Sequence, residues 1–303
     1  MPAELKTRLA PTPSGYLHIG NIFSFVLTWL FAKQNNGHIL LRIDDLDKAR
    51  VRKEYIDDIF RTLDWLEIEY DEGPSGTDDF LKHYSQHTRL DLYHDFLERL
   101  KVDKHLFSCN CSRAQIKSIS KDGQYPGTCI SKSIDEKQTN IAWRLLHGKD
   151  FSMTFQDVLW GNITRNLWQQ MRYPMLKRKD GLPAYQIASL ADDHYYHINT
   201  LVRGNDLLDS TAVQIHLAEL LGMDSFKNNT FLHHTLIRDN DADGQKLSKS
   251  QDAPAVHIWR DKPNGKILLL SKIAVLLNVD PNNIEHINDL LQLFNTDKMR
   301  QFS

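Results

Sequence analysis

The stretch Leu9-Ala10-Pro11-Thr12-Pro13-Ser14-Gly15-Tyr16-Leu17-His18-Ile19-Gly20-Asn21 decides how the chain begins to fold. Two prolines and two glycines exclude the interior of a helix or a central strand, because proline lacks an N–H and glycine is costly to order. A loop that must hold one shape is the consistent reading. Before it, Lys6–Ala10 has the pattern of a short strand. After it, Ile19–Lys33 is densely apolar and stops at Asn35-Asn36-Gly37, which predicts a buried helix with a glycine cap. Ile39–Ile43 then reads as a second strand, ending in Asp44-Asp45-Leu46-Asp47. Strand, loop, helix and strand make a βαβ unit and imply a parallel sheet. Ile56, Ile59, Phe60 and Leu63 recur at helical spacing and predict an amphipathic helix over that sheet.

Such a loop, feeding a helix N-terminus, is a phosphate-binding arrangement: N–H groups converge there and the helix dipole favours an anion. Gly15 and Gly20 allow close approach, and His18 can donate to a phosphoryl oxygen as its charge grows. Far downstream, Lys246-Leu247-Ser248-Lys249-Ser250 places two lysines around a serine, suited to following a phosphate that moves. The preceding Asp239-x-Asp241-x-Asp243-Gly244 imitates the start of a calcium loop, but its twelfth position is Ser250 where a bidentate Glu is required.

Composition sets outer bounds. The 303 residues suit one large domain or two modest ones, and an apolar fraction of 41% with 25% charged residues is ordinary for a globular chain. No uncharged apolar run approaches the roughly 20 residues of a membrane helix. The first residues carry no signal-peptide pattern, so a cytoplasmic protein with no membrane partner is expected. A net charge of −2 provides no global field for nucleic acid, which leaves local patches such as Arg50/Arg52/Lys53 and Lys177/Arg178/Lys179. All three cysteines fall between Cys109 and Cys129, which points to a metal rather than a disulfide. Three thiolates want a fourth ligand for tetrahedral zinc, and composition alone suggests a histidine such as His105.

Further along, Ile141–Leu146 is strand-like, Lys179-Asp180-Gly181 is a hairpin turn, Tyr185–Leu190 reads as a strand, and Thr200–Arg203 as another. Helices are expected over about Ser210–Leu221 and Ile267–Leu277. The expected organisation has four parts: 1–106 and 169–250 as the halves of a catalytic domain, 107–168 as a zinc-binding insertion, and 251–303 as a short helical region.

Taken together, "PTPSGYLHIGN" and "KLSKS" resemble the paired signatures of the class I aminoacyl-tRNA synthetases, with Asn21 in place of the second histidine and Leu247 for methionine. Arg8, "RIDDLD" (Arg42–Asp47) and "YQIASLADDHYYHINTLVRGNDLLDSTAVQ" (Tyr185–Gln214) extend the likeness to the glutamyl-tRNA synthetase catalytic core, over roughly residues 5–255. The resemblance implies an α/β fold, a Rossmann-like parallel sheet with helices on both faces. It implies His18 and Lys249 as catalytic residues, and Pro11, Gly15, His18, Gly20, Asn21, Lys246, Ser248 and Lys249 as the ATP site. It implies Arg8, Ala10, Thr12, Asp44, Tyr185 and Arg203 as the glutamate site, with Asp44 on the substrate ammonium where the family usually carries Glu. Two arginines suit an amino acid with two carboxylates, since the guanidinium fork matches a carboxylate. ATP would come with Mg2+.

"CNCSRAQIKSISKDGQYPGTC" (Cys109–Cys129) resembles the zinc motif of a truncated branch of that family, the glutamyl-Q tRNA(Asp) synthetases. That likeness implies Cys109, Cys111, Tyr125 and Cys129 around one structural Zn2+. It also implies transfer of glutamate to the queuosine base of tRNA(Asp) rather than to a tRNA 3′ end. The 53 residues after Ser250 are too few for the anticodon-reading domains of a full synthetase, which favours the truncated branch; a monomer is expected. The alternatives are a short enzyme charging tRNA(Glu), a non-catalytic RNA-binding paralogue, and a nucleotidyltransferase with another acid substrate.

Overall fold

The computed structural model describes residues 4–132, 134, 138–237 and 255–296. Strand β1 (Lys6–Leu9) pairs in parallel with β2 (His38–Leu41), Leu9 opposite Leu41. On its other side β1 meets β8 (Thr200–Gly204) at its start, where the Asn199 N–H donates to Lys6 O at 3.0 Å. Strand β8 pairs in parallel with β9 (Thr230–His234), Arg203 directly opposite His233. Strand β9 in turn touches β5 (Ser152–Asp157), which forms an antiparallel hairpin with β6 (Gly161–Asn166). The spatial order is therefore β2-β1-β8-β9-β5-β6.

Helices cover both faces, as expected for this α/β class, and the strands show it residue by residue. Leu40, Leu201 and Phe231 join one hydrophobic core, while Leu41, Val202 and Leu232, their neighbours in sequence, join the other. Successive strand side chains point to opposite faces, so each strand feeds two cores. One core holds the helices Ile19–Gln34, Lys53–Trp65 and Gly265–Leu276. The other holds Leu90–Val102, Tyr185–Tyr195 and Leu208–Leu220. The Ile19–Gln34 helix is buried around most of its circumference because the sheet lies on one side and the C-terminal helix Ile287–Leu293 on the other.

Two local expectations change. Tyr185–Leu190 is not a strand but the start of the Tyr185–Tyr195 helix. Six residues are too short a window to tell the two apart, whereas Ile187, Leu190, Ala191 and His194 follow the three-and-four spacing of a helix. The cap after Gln34 is also not a glycine in the left-handed region. Asn36 takes that conformation, with φ 51°. Gly37 instead lets the chain pass Leu5, whose backbone oxygen lies 3.1 Å from where a Cβ would stand.

The antiparallel sheet β3-β4-β7 (Leu106–Cys109, Ala142–Leu145, Met175–Lys177) carries the cysteine segment. The segment expected as an insertion thus contributes β3 and β4 to this sheet and β5 and β6 to the main one, while β7 comes from beyond residue 168.

Candidate functional site

In open α/β sheets ligands bind beyond the carboxyl ends of strands where the strand order reverses. Here the chain leaves β1 toward β2 on one side and meets β8 on the other, so the reversal lies between β1 and β8. A cavity of about 650 Å³ opens there. Arg8 and Leu9 enter it from β1, Val202, Arg203 and Gly204 from β8. The opening loop supplies Ala10, Pro11, Thr12, Gly15 and His18, and the helix supplies Gly20 and Asn21. Asp44 and Tyr185 complete the set, so the eleven residues anticipated for glutamate, ATP and catalysis within the described part of the chain share one cavity. Lys246, Ser248 and Lys249 lie outside the described residues, as does the Asp239–Gly244 stretch; Ile237, the last described residue before them, lines the cavity.

The loop is pinned to the sheet rather than loosely draped. The Arg42 N–H donates to Leu9 O and the Asp44 N–H to Pro11 O, both at 2.9 Å. At the helix start, the His18 N–H donates to Asn21 Oδ1 at 3.0 Å. Asn21 therefore closes the first turn. A Cβ on Gly20 would come within 3.1–3.2 Å of the His18 ring, so glycine lets the imidazole fold back over the helix end. No acidic side chain occupies the first turn, which leaves the positive end of the dipole uncompensated by protein.

Beneath the loop lies a buried charge cluster. Arg8 Nε donates to Asp193 Oδ1 at 2.9 Å, and Arg42 Nη1 donates to the same oxygen at 2.7 Å. Arg42 also grips Asp44 with two bonds, at 2.7 and 3.0 Å. Asp192 accepts from Arg89 at 2.8 Å, Tyr93 at 2.7 Å and Gln86 at 2.9 Å. Burial would raise the Asp193 carboxyl, but Arg8, Arg42 and Arg203 outweigh it and hold it below the usual range. Asp44 goes the other way: burial wins over Arg42 and raises it. Arg203 is the exception in this cluster. One nitrogen donates to Gln214 Oε1 at 2.9 Å, Nε and Nη2 are buried with no partner in good hydrogen-bond geometry, and the Tyr185 hydroxyl lies close enough to favour the charged guanidinium. Burial pulls the Arg203 guanidinium below its ordinary value. Four guanidinia (Arg8, Arg42, Arg89, Arg203) thus gather around Asp44, Asp192 and Asp193, and Asp206 also lines the cavity.

Several contributors had no assigned role in the sequence reading. Arg42, Asp192 and Asp193 lie within the quoted motifs, yet only the fold shows that they set the charge balance. Ser24 Oγ and His234 Nε2 are 2.6 Å apart on the cavity wall. His233, opposite Arg203, sits between Asp157 Oδ2 and Thr211 Oγ1, each at 2.7 Å. Nothing in their spacing links 157, 211 and 233.

The cysteine segment converges as well. The Sγ atoms of Cys109, Cys111 and Cys129 lie within 4.8 Å of one another. The Tyr125 hydroxyl is 3.9 Å from Cys111 Sγ and accepts from the Cys129 N–H at 3.0 Å. His105 is not in the group and lies near His216 instead. Burial opposes ionisation of Cys129, but hydrogen bonds from Tyr125, the Asn110 backbone and the other thiols bring its thiol down to about 7. Burial pushes the Tyr125 phenol up. Three soft thiols and one oxygen around a single point are chemically suited to tetrahedral zinc.

Every cation of the first basic patch pairs with a carboxylate, whereas in the second only Arg178 does. Arg50 pairs with Asp47 at 2.7 Å, Arg52 with Glu54 at 3.6 Å, and Lys53 with Asp78 at 3.5 Å. Arg178 pairs with Asp180 at 2.6 Å, Lys179 donates to Asn110 O at 2.7 Å, and Lys177 lies over Trp143.

A loop at the reversal point of a parallel sheet, above a pocket rich in arginines, is the arrangement the class I synthetase signatures led us to expect. Residues 4–300 match the family of class I tRNA synthetases (E and Q), catalytic domain, and the chain belongs to that family. It is 32% identical over 284 residues to Glutamate--tRNA ligase 2 of Syntrophus aciditrophicus, spanning 89% of this chain and 57% of that protein. It is 34% identical over 268 residues to Glutamate--tRNA ligase 1 of Ehrlichia canis, 86% of this chain and 54% of that one. The chain thus spans little more than half the length of these relatives. A glutamate tRNA ligase from Elizabethkingia meningosepticum shares the fold, with a TM-score of 0.76 at 23% identity over 98% of this chain and 66% of the other. Among the described residues no helix is long and apolar enough to cross a membrane.

Proposed function

We propose that the protein activates L-glutamate with ATP and transfers the glutamyl group to the queuosine base in the anticodon of tRNA(Asp). The observation that carries the first half is Arg203. Two buried donors without a hydrogen-bond partner suit a ligand that brings a carboxylate, as glutamate does with its side chain. Asp44 and Tyr185 flank the same cavity and suit the ammonium end.

In the proposed reaction a glutamate α-carboxylate oxygen attacks the α-phosphorus of ATP. That P–O bond forms as the bond to the β-phosphate breaks, and the electron pair leaves with pyrophosphate. Positioning and charge stabilisation supply the rate. His18 donates to the phosphoryl oxygens at the helix end, and Lys249 follows the departing pyrophosphate. Magnesium, when bound with ATP, neutralises part of the phosphate charge. A hydroxyl of the modified base then attacks the glutamyl carbonyl and AMP leaves. Cys109, Cys111, Cys129 and Tyr125 would hold a structural zinc with every position filled by protein.

The queuosine half is supported by the Cys-x-Cys…Tyr-x3-Cys pattern and by the convergence of its side chains. A second reading has its own support: the relatives named above are glutamate–tRNA ligases, which favours tRNA(Glu). The deciding experiment supplies ATP, labelled glutamate and either queuosine-containing tRNA(Asp) or tRNA(Glu). Label on tRNA(Asp) alone is the expected result; label on tRNA(Glu) overturns it. Pyrophosphate exchange that depends on glutamate separates both from an RNA-binding paralogue or a different nucleotidyltransferase. A cytoplasmic monomer that binds tRNA weakly and salt-dependently is part of the same proposal.

A further inference from the structure

The sheet that carries the cysteine group also brings cations to it. Phe107 and Cys109 lie two residues apart on β3 and so share one face. Arg144 on β4 stands directly opposite Phe107 and joins that face. The Tyr125 ring packs against this pair, stacked 6.2 Å from Phe107 and 4.2 Å from the Arg144 guanidinium. One Arg144 nitrogen donates to Tyr173 O at 2.9 Å, while Nε is buried without a hydrogen-bond partner. Lys179, in the turn after β7, donates to the Asn110 carbonyl at 2.7 Å, between Cys109 and Cys111. Arg172 and Arg178 are taken by Asp122 and Asp180. Among the described residues no carboxylate pairs with Arg144 or Lys179. Two uncommitted cations therefore adjoin three thiols and a phenol.

We propose that Arg144 and Lys179 are the counter-charges of the cysteine site, positioning residues that set its affinity for a divalent metal without touching it. The inference rests on the zinc reading of Cys109, Cys111, Tyr125 and Cys129. A divalent ion held by three thiolates is left with a net negative charge. Cys109, Tyr125 and Cys129 are buried, and a buried surplus charge is costly unless an opposite one answers it. Arg144 acts through the face of the Tyr125 ring, whose π electrons attract a cation. Lys179 acts through the peptide whose carbonyl it holds. Arg144 is the larger contributor, because it is less exposed to water than Lys179 and so less screened. Without metal the same guanidinium has no carboxylate to answer, so it gives the empty site no comparable support.

The test is zinc affinity of the full chain, read by competition with a chromophoric chelator. Arg144→Met should weaken zinc binding ten- to hundredfold, the range expected when a partner of metal ligands is removed. Arg144→Lys keeps the charge and should recover most of that loss. Lys179→Met, on the exposed turn, should weaken binding about two- to fivefold. Added salt should erase that smaller difference and leave the larger one. Thermal unfolding separates this role from simple packing. A merely structural arginine would lower the unfolding temperature of chelator-treated and zinc-loaded protein alike. Arg144→Met is instead expected to unfold no lower than wild type after chelator treatment and to lose stability only in the zinc-loaded form. Wild-type zinc affinity in Arg144→Met overturns the inference, and so does an equal loss of stability with and without zinc. If wild type binds no zinc, the zinc reading of the four side chains falls, which is a distinct result.

Discussion

Arg42 donates to Asp193 at 2.7 Å although 151 positions separate them in the chain. That bond, shared at the same oxygen with Arg8, ties the end of β2 to the helix that follows β7 and sets the spacing of the cations below the cavity. Asp193 does not line the cavity itself, so its removal tests the platform rather than a ligand contact.

Asp193→Asn should destabilise the protein by about 3–5 kcal/mol, because two buried guanidinia lose their shared anion. Urea unfolding checks this. Its pH dependence has a definite sign. A carboxylate held below its unfolded value contributes stability that is fully present above about pH 4 and is lost as pH falls through the folded value. The variant should lack that acid limb.

Arg203→Met should separate stability from binding. The guanidinium is buried with two nitrogens that lack a hydrogen-bond partner, so a methionine of similar length is expected to leave the ligand-free protein as stable or more stable in thermal unfolding. Glutamate binding should weaken on the order of a hundredfold or more, the scale of losing a buried charged partner. The KM for ATP should change far less; equal changes in both would count against the glutamate assignment.

His18→Ala should slow glutamate activation by at least about 2.7 kcal/mol, on the order of a hundredfold, and Lys249→Ala likewise. Pyrophosphate-exchange rates within threefold of wild type would remove either residue from the chemistry.

The histidines give a second pH limb. Burial lowers His216 and His233 to about 4, in His233 against the pull of Asp157. Unfolded, both titrate near 6.5, so between 6.5 and 4 the unfolded chain binds more protons and stability falls as pH falls. Two protons correspond to a limiting slope of about 2.7 kcal/mol per pH unit. His147, His194 and His234 are lowered as well and add to the limb, so His216→Leu should remove one proton's share, at most about 1.4 kcal/mol per pH unit, a difference chemical denaturation across that window resolves.

For the cysteine cluster, metal analysis of unchelated protein should find about one zinc per chain. Cys109→Ser should abolish it. Tyr125→Phe should keep a weakened site if three thiols suffice, and zinc affinity by competition with a chromophoric chelator reads the difference.

What the sequence determined by itself was local and patterned. Proline and glycine define the opening loop, apolar periodicity places the Ile19–Gln34 and Leu208–Leu220 helices, and the motifs nominate the residues that line the cavity. These follow from backbone restrictions and from side chains at short separations. The Tyr185–Tyr195 helix escaped that logic because it is buried on several sides, Gln186 to Asp193 without a break, so a six-residue window shows no clear face. The charge balance was decided only by tertiary structure. Nothing local shows that Arg8 and Arg42 are answered by Asp193 while Arg203 keeps two nitrogens without a hydrogen-bond partner, or that Ser24 meets His234 at 2.6 Å. Those pairings cross from one strand or helix to another, and the energy of a charge or hydroxyl depends on what the fold brings within about 3 Å of it and on how much water it removes.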